Sequence, residues 1–381
     1  MIRSLSIRNF KCFAALDLEL APLTLFTGFN ACGKSTTIQT LLLLEQTLRG
    51  PISYPSLMLN GPILNLGTTT DIVYANAGSS KAVGIGVTSG DHAIRWQFIA
   101  KDRILAIHDV EEMDGPRRFS YSGDDLIGIR PQGSLRTTVL SSLESMIYLS
   151  PARQVDTEVY PSAFGAGLPQ GDVGSIGQYA SWWLHEKGDD EALVSRRHPD
   201  FPGRQALRQQ VNAWMSDLFP GAEANSRLID RTNLVRLELR SGVTSDWVRP
   251  ANIGYGMSYA FPIIVAGLCS AQEQTAILDS PEAHLHPRAQ SRVGHFLSQM
   301  AGSGTQMLIE THSDHVLNGV RIAVRDGLLS PDEAAIYFFT GNKDVPVVRL
   351  SVDKNGTLSG LPDGFFDQAE RDLANLAGWD S

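Results

Sequence analysis

The run Gly28-Phe29-Asn30-Ala31-Cys32-Gly33-Lys34-Ser35-Thr36 matches the pattern GxxxxGK[ST]. It stands between LTLFTG, an apolar run of strand type, and STTIQTLLLLEQTL, a helical run closed by Gly50 and Pro51. Strand, glycine loop and helix in that order let successive backbone N–H groups curl round a phosphate at a helix N-terminus. Asn30, Ala31, Cys32, Gly33 and Thr36 are then the loop's candidate nucleotide contacts. Lys34 reaches the β and γ oxygens, and the Ser35 hydroxyl can ligate Mg²⁺. A P-loop of this kind requires an α/β fold.

Further along, TAILD is a short apolar strand ending in Asp279, where a second carboxylate can hold the same Mg²⁺ directly or through water. Composition excludes several other classes. Lys plus Arg number 32 against 41 Asp plus Glu, and the net charge of −9 argues against a basic coat for non-specific nucleic-acid binding. The cysteines Cys12, Cys32 and Cys269 form no CxxC pair, which speaks against a disulfide framework or a four-thiolate zinc site and fits a reducing, cytoplasmic compartment. The longest apolar stretch, around Phe261 to Leu268, is far shorter than the ~18–20 residues of a membrane span, and the N-terminus lacks the features of a secretory leader. No membrane contact is expected.

The 381 residues, 43% of them hydrophobic, suffice for a large core. Alternating runs predict strands in the first 28 residues and an antiparallel meander from about Val73 to Arg130. The glycine-rich stretch from Ser162 to Gly177 reads as an irregular loop. Helical spacing returns in IGQYASWWLHEKG and GRQALRQQVNAWMSDLF, then in GYGMSYAFPIIVAGLC, while TQMLIE reads as a strand and EAAIYFFTG with VPVVRLSVD as a hairpin. The expected division is 1–150 as the N-terminal part of one domain, 151–245 as a helical and irregular insertion, and 246–381 as the C-terminal part.

Taken together, NFKCF, GFNACGKST, the strand with D-x-P-E-A-H-L-H-P, and ETHSDH resemble the ABC-type ATPases of the OLD/RecF/SMC group. PEAHLHPRAQ with ETHSDHVLNGVRIAV resembles, more narrowly, stand-alone bacterial AAA-type ATPases, some of which occur in phage-defence loci. The resemblance implies an ABC-type P-loop NTPase with a mixed sheet, an antiparallel β meander and a helical insertion, using ATP and Mg²⁺. It implies that Lys34 and Ser35 bind phosphate and metal, that Asp279 is the second Mg²⁺ ligand, and that His312 is the switch histidine at the γ-phosphate. Asn252-Ile253-Gly254-Tyr255-Gly256-Met257-Ser258 resembles a degenerate signature loop, with Gly254, Gly256 and Ser258 as donors to the nucleotide of a second copy. A homodimer or higher oligomer sandwiching ATP follows, together with a protein effector of nuclease or toxin type, or DNA lying across the dimer. The group also uses a Q-loop glutamine, which no motif marks in this sequence.

One departure concerns the reaction. Most hydrolysing members place a glutamate directly after the Walker B aspartate, and this chain has Ser280 there. A serine hydroxyl does not accept a proton at neutral pH unaided, so the expectation is slow turnover, with Glu282 and Glu310 as alternative carboxylates. A nucleotide-gated scaffold that scarcely hydrolyses ATP is a second reading. The third is a metal-dependent nuclease built on His284, His286, His295, His312 and His315, whose spacings match neither HExxH nor a zinc-finger pattern. OLD nucleases carry a TOPRIM domain, and the stretch after His315 is too short for one beside the expected final strands.

Overall fold

The computed structural model describes residues 1–77, 81–131, 137–155, 157–203 and 205–377. The chain opens with β1 (Ser4–Phe10), β2 (Phe13–Glu19), β3 (Leu23–Gly28) and α1 (Lys34–Arg49), then β4 (Ser56–Leu57) and the short α2 (Thr69–Ile72). The meander follows as β5 (Ala82–Ser89), β6 (His92–Lys101), β7 (Ile104–Asp114) and β8 (Arg117–Ser122), with the small pair β9 (Leu126–Ile127) and β10 (Arg130–Pro131). Next come α3 (Thr138–Glu144), β11 (Ile147–Leu149), β12 (Val159–Pro161), α4 (Ala180–Lys187), α5 (Leu207–Leu218), β13 (Glu223–Leu228) and β14 (Leu234–Arg240). The last part holds α6 (Tyr255–Cys269), β15 (Thr275–Asp279), α7 (Pro287–Gly302), β16 (Gln306–Glu310), α8 (Asp314–Arg325), β17 (Ala334–Phe339), β18 (Val347–Leu350) and α9 (Gln368–Leu376).

A six-stranded sheet in the order β11-β15-β16-β3-β17-β18 organises the molecule; its strands are parallel except β18. Both faces are covered, so its strands read as continuous apolar runs whose successive side chains enter opposite cores. Phe26, Ile277, Leu308, Ala335, Tyr337 and Phe339 enter one core; Leu25, Leu278, Ile309, Ile336 and Phe338 enter the other. The first core also takes α1, buried nearly all round through Leu41, Leu42, Leu43 and Leu44, and the antiparallel sheet β2-β1-β5-β6-β7-β4 with β8 on β7. The second takes α4 to α8, with Trp214 of α5 against Phe296 of α7 at 5.0 Å between ring centroids.

The meander and the terminal hairpin of β17 and β18 agree with the sequence reading. Residues 151–245 hold more than helices: β12, β14 and β13 form a three-stranded antiparallel sheet, and Leu184, Leu207 and Val211 share a core with Phe261 of α6. Arg196, fully buried in this region, caps the C-terminus of α6 by donating to the carbonyls of Gly267, Leu268 and Ser270, with further bonds to Ser303 and Thr305. A cation there complements the helix dipole and satisfies carbonyls that lack an intrahelical partner. Among the described residues, no helix is long and apolar enough to cross a membrane.

Candidate nucleotide site

β3, β15 and β16 run parallel and side by side, so their C-terminal ends bring Gly28, Asp279 and Glu310 to one edge. In open α/β sheets ligands bind beyond this edge. The loop that leaves β3 is shaped by two glycines. Gly28 has φ +125°, and a Cβ there would lie 2.3 Å from the carbonyl oxygen of Phe339. Gly33 has φ +107°, and a Cβ there would lie 2.2 Å from the Phe13 ring. No L side chain fits either position.

Gly33 caps α1, whose first residue is Lys34. Lys34 is 3% exposed, and its Nζ donates to the carbonyls of Gly28 at 3.1 Å and Phe29 at 2.7 Å. Burial lowers its pKa, an effect that Glu310 opposes. The ammonium is thus folded back into its own loop. Cys32 donates from Sγ to the Asn30 carbonyl at 3.3 Å, and Thr37 bonds through backbone N–H and hydroxyl to the Gly33 carbonyl. Ser35 and Thr36 occupy the first turn of the helix.

Ser35 Oγ donates to Glu310 Oε1 at 2.8 Å. Asp279 is the register partner of Glu310 on the neighbouring strand, and the Ser280 N–H donates to the Glu310 carbonyl at 2.9 Å. Burial, then the nearby Asp279 charge, push the Glu310 carboxyl up to about 7; burial likewise raises Asp279. Glu310 Oε2 is buried and has no hydrogen-bond partner among the described residues. Ser35, Asp279 and Glu310 present hard oxygen donors, the kind Mg²⁺ takes alongside substrate phosphates. These residues fit the ion: Ser35 and Asp279 would hold it, with Glu310 beside them.

Ser280 donates from Oγ to Asp279 Oδ1 at 2.9 Å and adopts φ +49°. Both oxygens of Glu282 are engaged: Oε2 accepts from Thr311 Oγ1 and Oε1 from the His312 N–H, each at 2.8 Å. The carboxylate therefore orders the loop that carries His312. Burial first, then the Lys34 charge, lower the His312 pKa, which keeps the imidazole neutral at physiological pH.

The signature-like segment lies at the start of α6. Gly254 caps the helix, and a side chain added there would meet nothing within 4 Å; Tyr255 is 58% exposed. Gly256 faces inward, with 3.0 Å between an added Cβ and the His284 carbonyl. Ser258 is buried and bonds to the Pro250 carbonyl at 3.4 Å, so its hydroxyl does not share the outward face of Gly254 in this structure.

The five histidines behave differently from a metal cluster. Among the described residues, no group of three or more His, Cys, Asp and Glu side chains is arranged to hold a metal ion. His284 instead packs against Tyr255 and Tyr259, and His286 caps α7 by accepting from the Arg288 N–H.

Two residues had no signal in the sequence. Arg153, 5% exposed, follows β11 and donates from Nη2 to the carbonyls of Asp279 at 2.9 Å and Ser280 at 3.1 Å. Gln154 comes directly after it. Only the pairing of the three-residue β11 with β15 reveals that this segment borders the site.

Residues 1–114 match a family described as "AAA ATPase domain", and residues 179–318 match one described as "AAA domain, putative AbiEii toxin, Type IV TA system". Residues 329–376 match "Protein of unknown function (DUF3696)". An OLD nuclease of Thermus scotoductus is 25% identical over 348 residues, covering 82% of this chain; the chain spans about 59% of the length of that relative. Two solved structures share the fold. An Smc head domain with an extended coiled coil, bound to the C-terminal domain of ScpA derived from Pyrococcus furiosus, aligns with TM-score 0.54 and 13% identity over 99% of each chain. An SmcHead bound to the C-winged helix domain of ScpA aligns with TM-score 0.52 and 14% identity over 93% of this chain and 98% of that one. P-loop, strand order and domain matches together support an ABC-type ATPase similar to the OLD/SMC-like group.

Proposed function

We propose that the chain binds ATP with Mg²⁺ and hydrolyses it slowly to ADP and phosphate, two copies closing on the nucleotide, and that closure controls a protein effector of nuclease or toxin type. The observation that carries this reading is the convergence of Lys34, Ser35, Asp279, Glu310 and the His312 loop at one sheet edge. Lys34 would exchange the two loop carbonyls it now holds for phosphate oxygens. When bound, Mg²⁺ supplies charge neutralisation on the phosphates. Catalysis then rests on positioning by the loop N–H groups, Lys34 and His312.

Proton acceptance is the weak step. Ser280 spends its hydroxyl on Asp279, and Glu282 spends both oxygens on the 311–312 loop. Of the carboxylates weighed as the base, Glu310 alone has an oxygen free of any partner among the described residues, and we assign the role to it. Gln154, the residue after Arg153, is our assignment for the Q-loop glutamine. Gly254 and Gly256 would serve the nucleotide of a second copy, with Ser258 joining them after a rotation of its side chain.

A second reading, an ATP-gated scaffold that holds an effector without turnover, is favoured by Ser280 itself. The OLD nuclease relative is a longer protein, and the nuclease role is assigned here to a partner, with DNA across the dimer as a further ligand. A cytoplasmic place in bacterial phage defence or DNA-related work follows from the group the chain resembles. Light scattering on wild type and Lys34→Ala, with and without ATP and Mg²⁺, tests the closure. The mass of the wild type should double with nucleotide and that of the variant should not; an unchanged wild-type mass while ATP is bound would sink the dimer.

A further inference from the structure

We propose that Arg153 is a positioning residue that ties the turn after Asp279 to the start of helix α6, so that the metal-binding strand end and the outward Gly254–Tyr255 corner move as one unit. The guanidinium grips the turn through the two bonds to the Asp279 and Ser280 carbonyls. Its face lies over the Tyr259 ring, 5.4 Å from the centroid. Nε and Nη1 are buried with no hydrogen-bond partner among the described residues. Burying a charged group with unpaired N–H donors is unfavourable, and a methionine of similar volume would fill the space without that penalty. What arginine adds here is the pair of carbonyl bonds and the planar cationic face on Tyr259.

The turn it grips is not relaxed on its own. Ser280 and His284 both sit in the left-handed region, at φ +49° and +61°, where residues other than glycine are strained. Arg153 holds the first of these residues from below. The second meets α6: the His284 ring lies 4.5 Å from Tyr259 and 5.8 Å from Tyr255, and the Gly256 backbone lies close against the His284 carbonyl. Arg153, Tyr259 and His284 therefore close a ring of contacts between turn and helix. Pro262, inside α6, has no N–H to donate to the Ser258 carbonyl. The guanidinium, brought down to about 10 by burial, remains charged at neutral pH beside Asp279, Glu282, Tyr148 and Tyr259.

The linkage rests on contacts within the chain itself; its effect on turnover rests on the proposed function. Hydrogen exchange on nucleotide-free wild type, Arg153→Met, Tyr259→Leu and Tyr259→Phe tests it directly. Both Arg153→Met and Tyr259→Leu should speed exchange about tenfold in residues 279–285 and also in 254–259, equivalent to ~1.4 kcal/mol of local opening. Tyr259→Phe, which keeps the ring, should match wild type. Each variant loosening its own element alone would overturn the linkage. Should Arg153→Met fail to fold, Tyr259→Leu decides: spread to 279–285 upholds the proposal, and confinement to α6 refutes it. A fluorescent ATP analogue supplies the separate readout. Failure of wild type to bind it would refute the ATPase reading while leaving the exchange result to judge Arg153.

Discussion

Glu45 offers a quantitative test of how α1, the helix behind the P-loop, is held. Its side chain is 1% exposed on the inner face of α1, with Oε1 3.0 Å from Arg49 Nη1 and Oε2 without a hydrogen-bond partner among the described residues. The same Nη1 lies 3.0 Å from Asp172, and Arg49 also donates to the carbonyls of Glu144 and Met146. One guanidinium thus serves two carboxylates. Burial raises the Glu45 pKa from 4.5 to about 8, against the opposing pull of Arg49. The folded chain therefore keeps this proton through a window in which the unfolded chain has released it. Stability from this group is fully present below pH 4.5 and is lost as pH rises through about 8. At 1.36 kcal/mol per unit the shift sets a ceiling of about 5 kcal/mol, and relaxation around the buried charge should reduce the measured loss to roughly 2–3 kcal/mol. Urea unfolding of wild type and Glu45→Gln at pH 5 to 9 reads the difference, because other titrating groups are common to both. Wild type should lose stability relative to the variant by that amount across the range. Parallel pH profiles for the two proteins would refute the assignment.

Other perturbations have equally definite outcomes. Gly33→Ala forces a Cβ into the Phe13 ring at a left-handed backbone position, so it should cost about 1–3 kcal/mol in thermal unfolding and abolish ATP binding; a variant with wild-type affinity would show that the loop shape is not needed. Arg196→Met strands three carbonyls at the end of α6 and should destabilise by about 3 kcal/mol in urea unfolding, with a loss under 1 kcal/mol contradicting the capping role. Glu310→Gln should leave nucleotide affinity within about threefold and lower phosphate release at least ~10-fold, the usual minimum for a general base being about 100-fold when it acts alone. Unchanged release would remove Glu310 from the reaction.

What the sequence made readable was local. The P-loop, the strand ending in Asp279 and the THS segment each combine an apolar strand with a fixed loop chemistry in a few contiguous residues, so their neighbours in the chain identify them. Arg153 lies 126 residues from the carbonyl it binds, and the strand that delivers it has three residues, too short for any period to show. Its position depends on a parallel pairing that no spacing encodes. Ser258 matched a signature-loop pattern, yet its rotamer is set by the Pro250 carbonyl across the helix start. Glu282 reads from the sequence as an alternative carboxylate for the base, and only the fold shows that its two oxygens are filled by Thr311 and His312. The small sheet of β12, β13 and β14 escaped for a related reason: LVRLELRSG reads as one strand, but of its partners β12 has only three residues and β13, EANSRL, is mostly polar.

Phosphate release from ATP with Mg²⁺ by wild type, Lys34→Ala and Ser280→Glu tests the central claim, that this sheet edge is a nucleotide site limited by the residue after Asp279. Slow release by wild type, none by Lys34→Ala and faster release by Ser280→Glu is the predicted pattern. Release that survives in Lys34→Ala, or wild-type turnover that Ser280→Glu fails to raise, would contradict it.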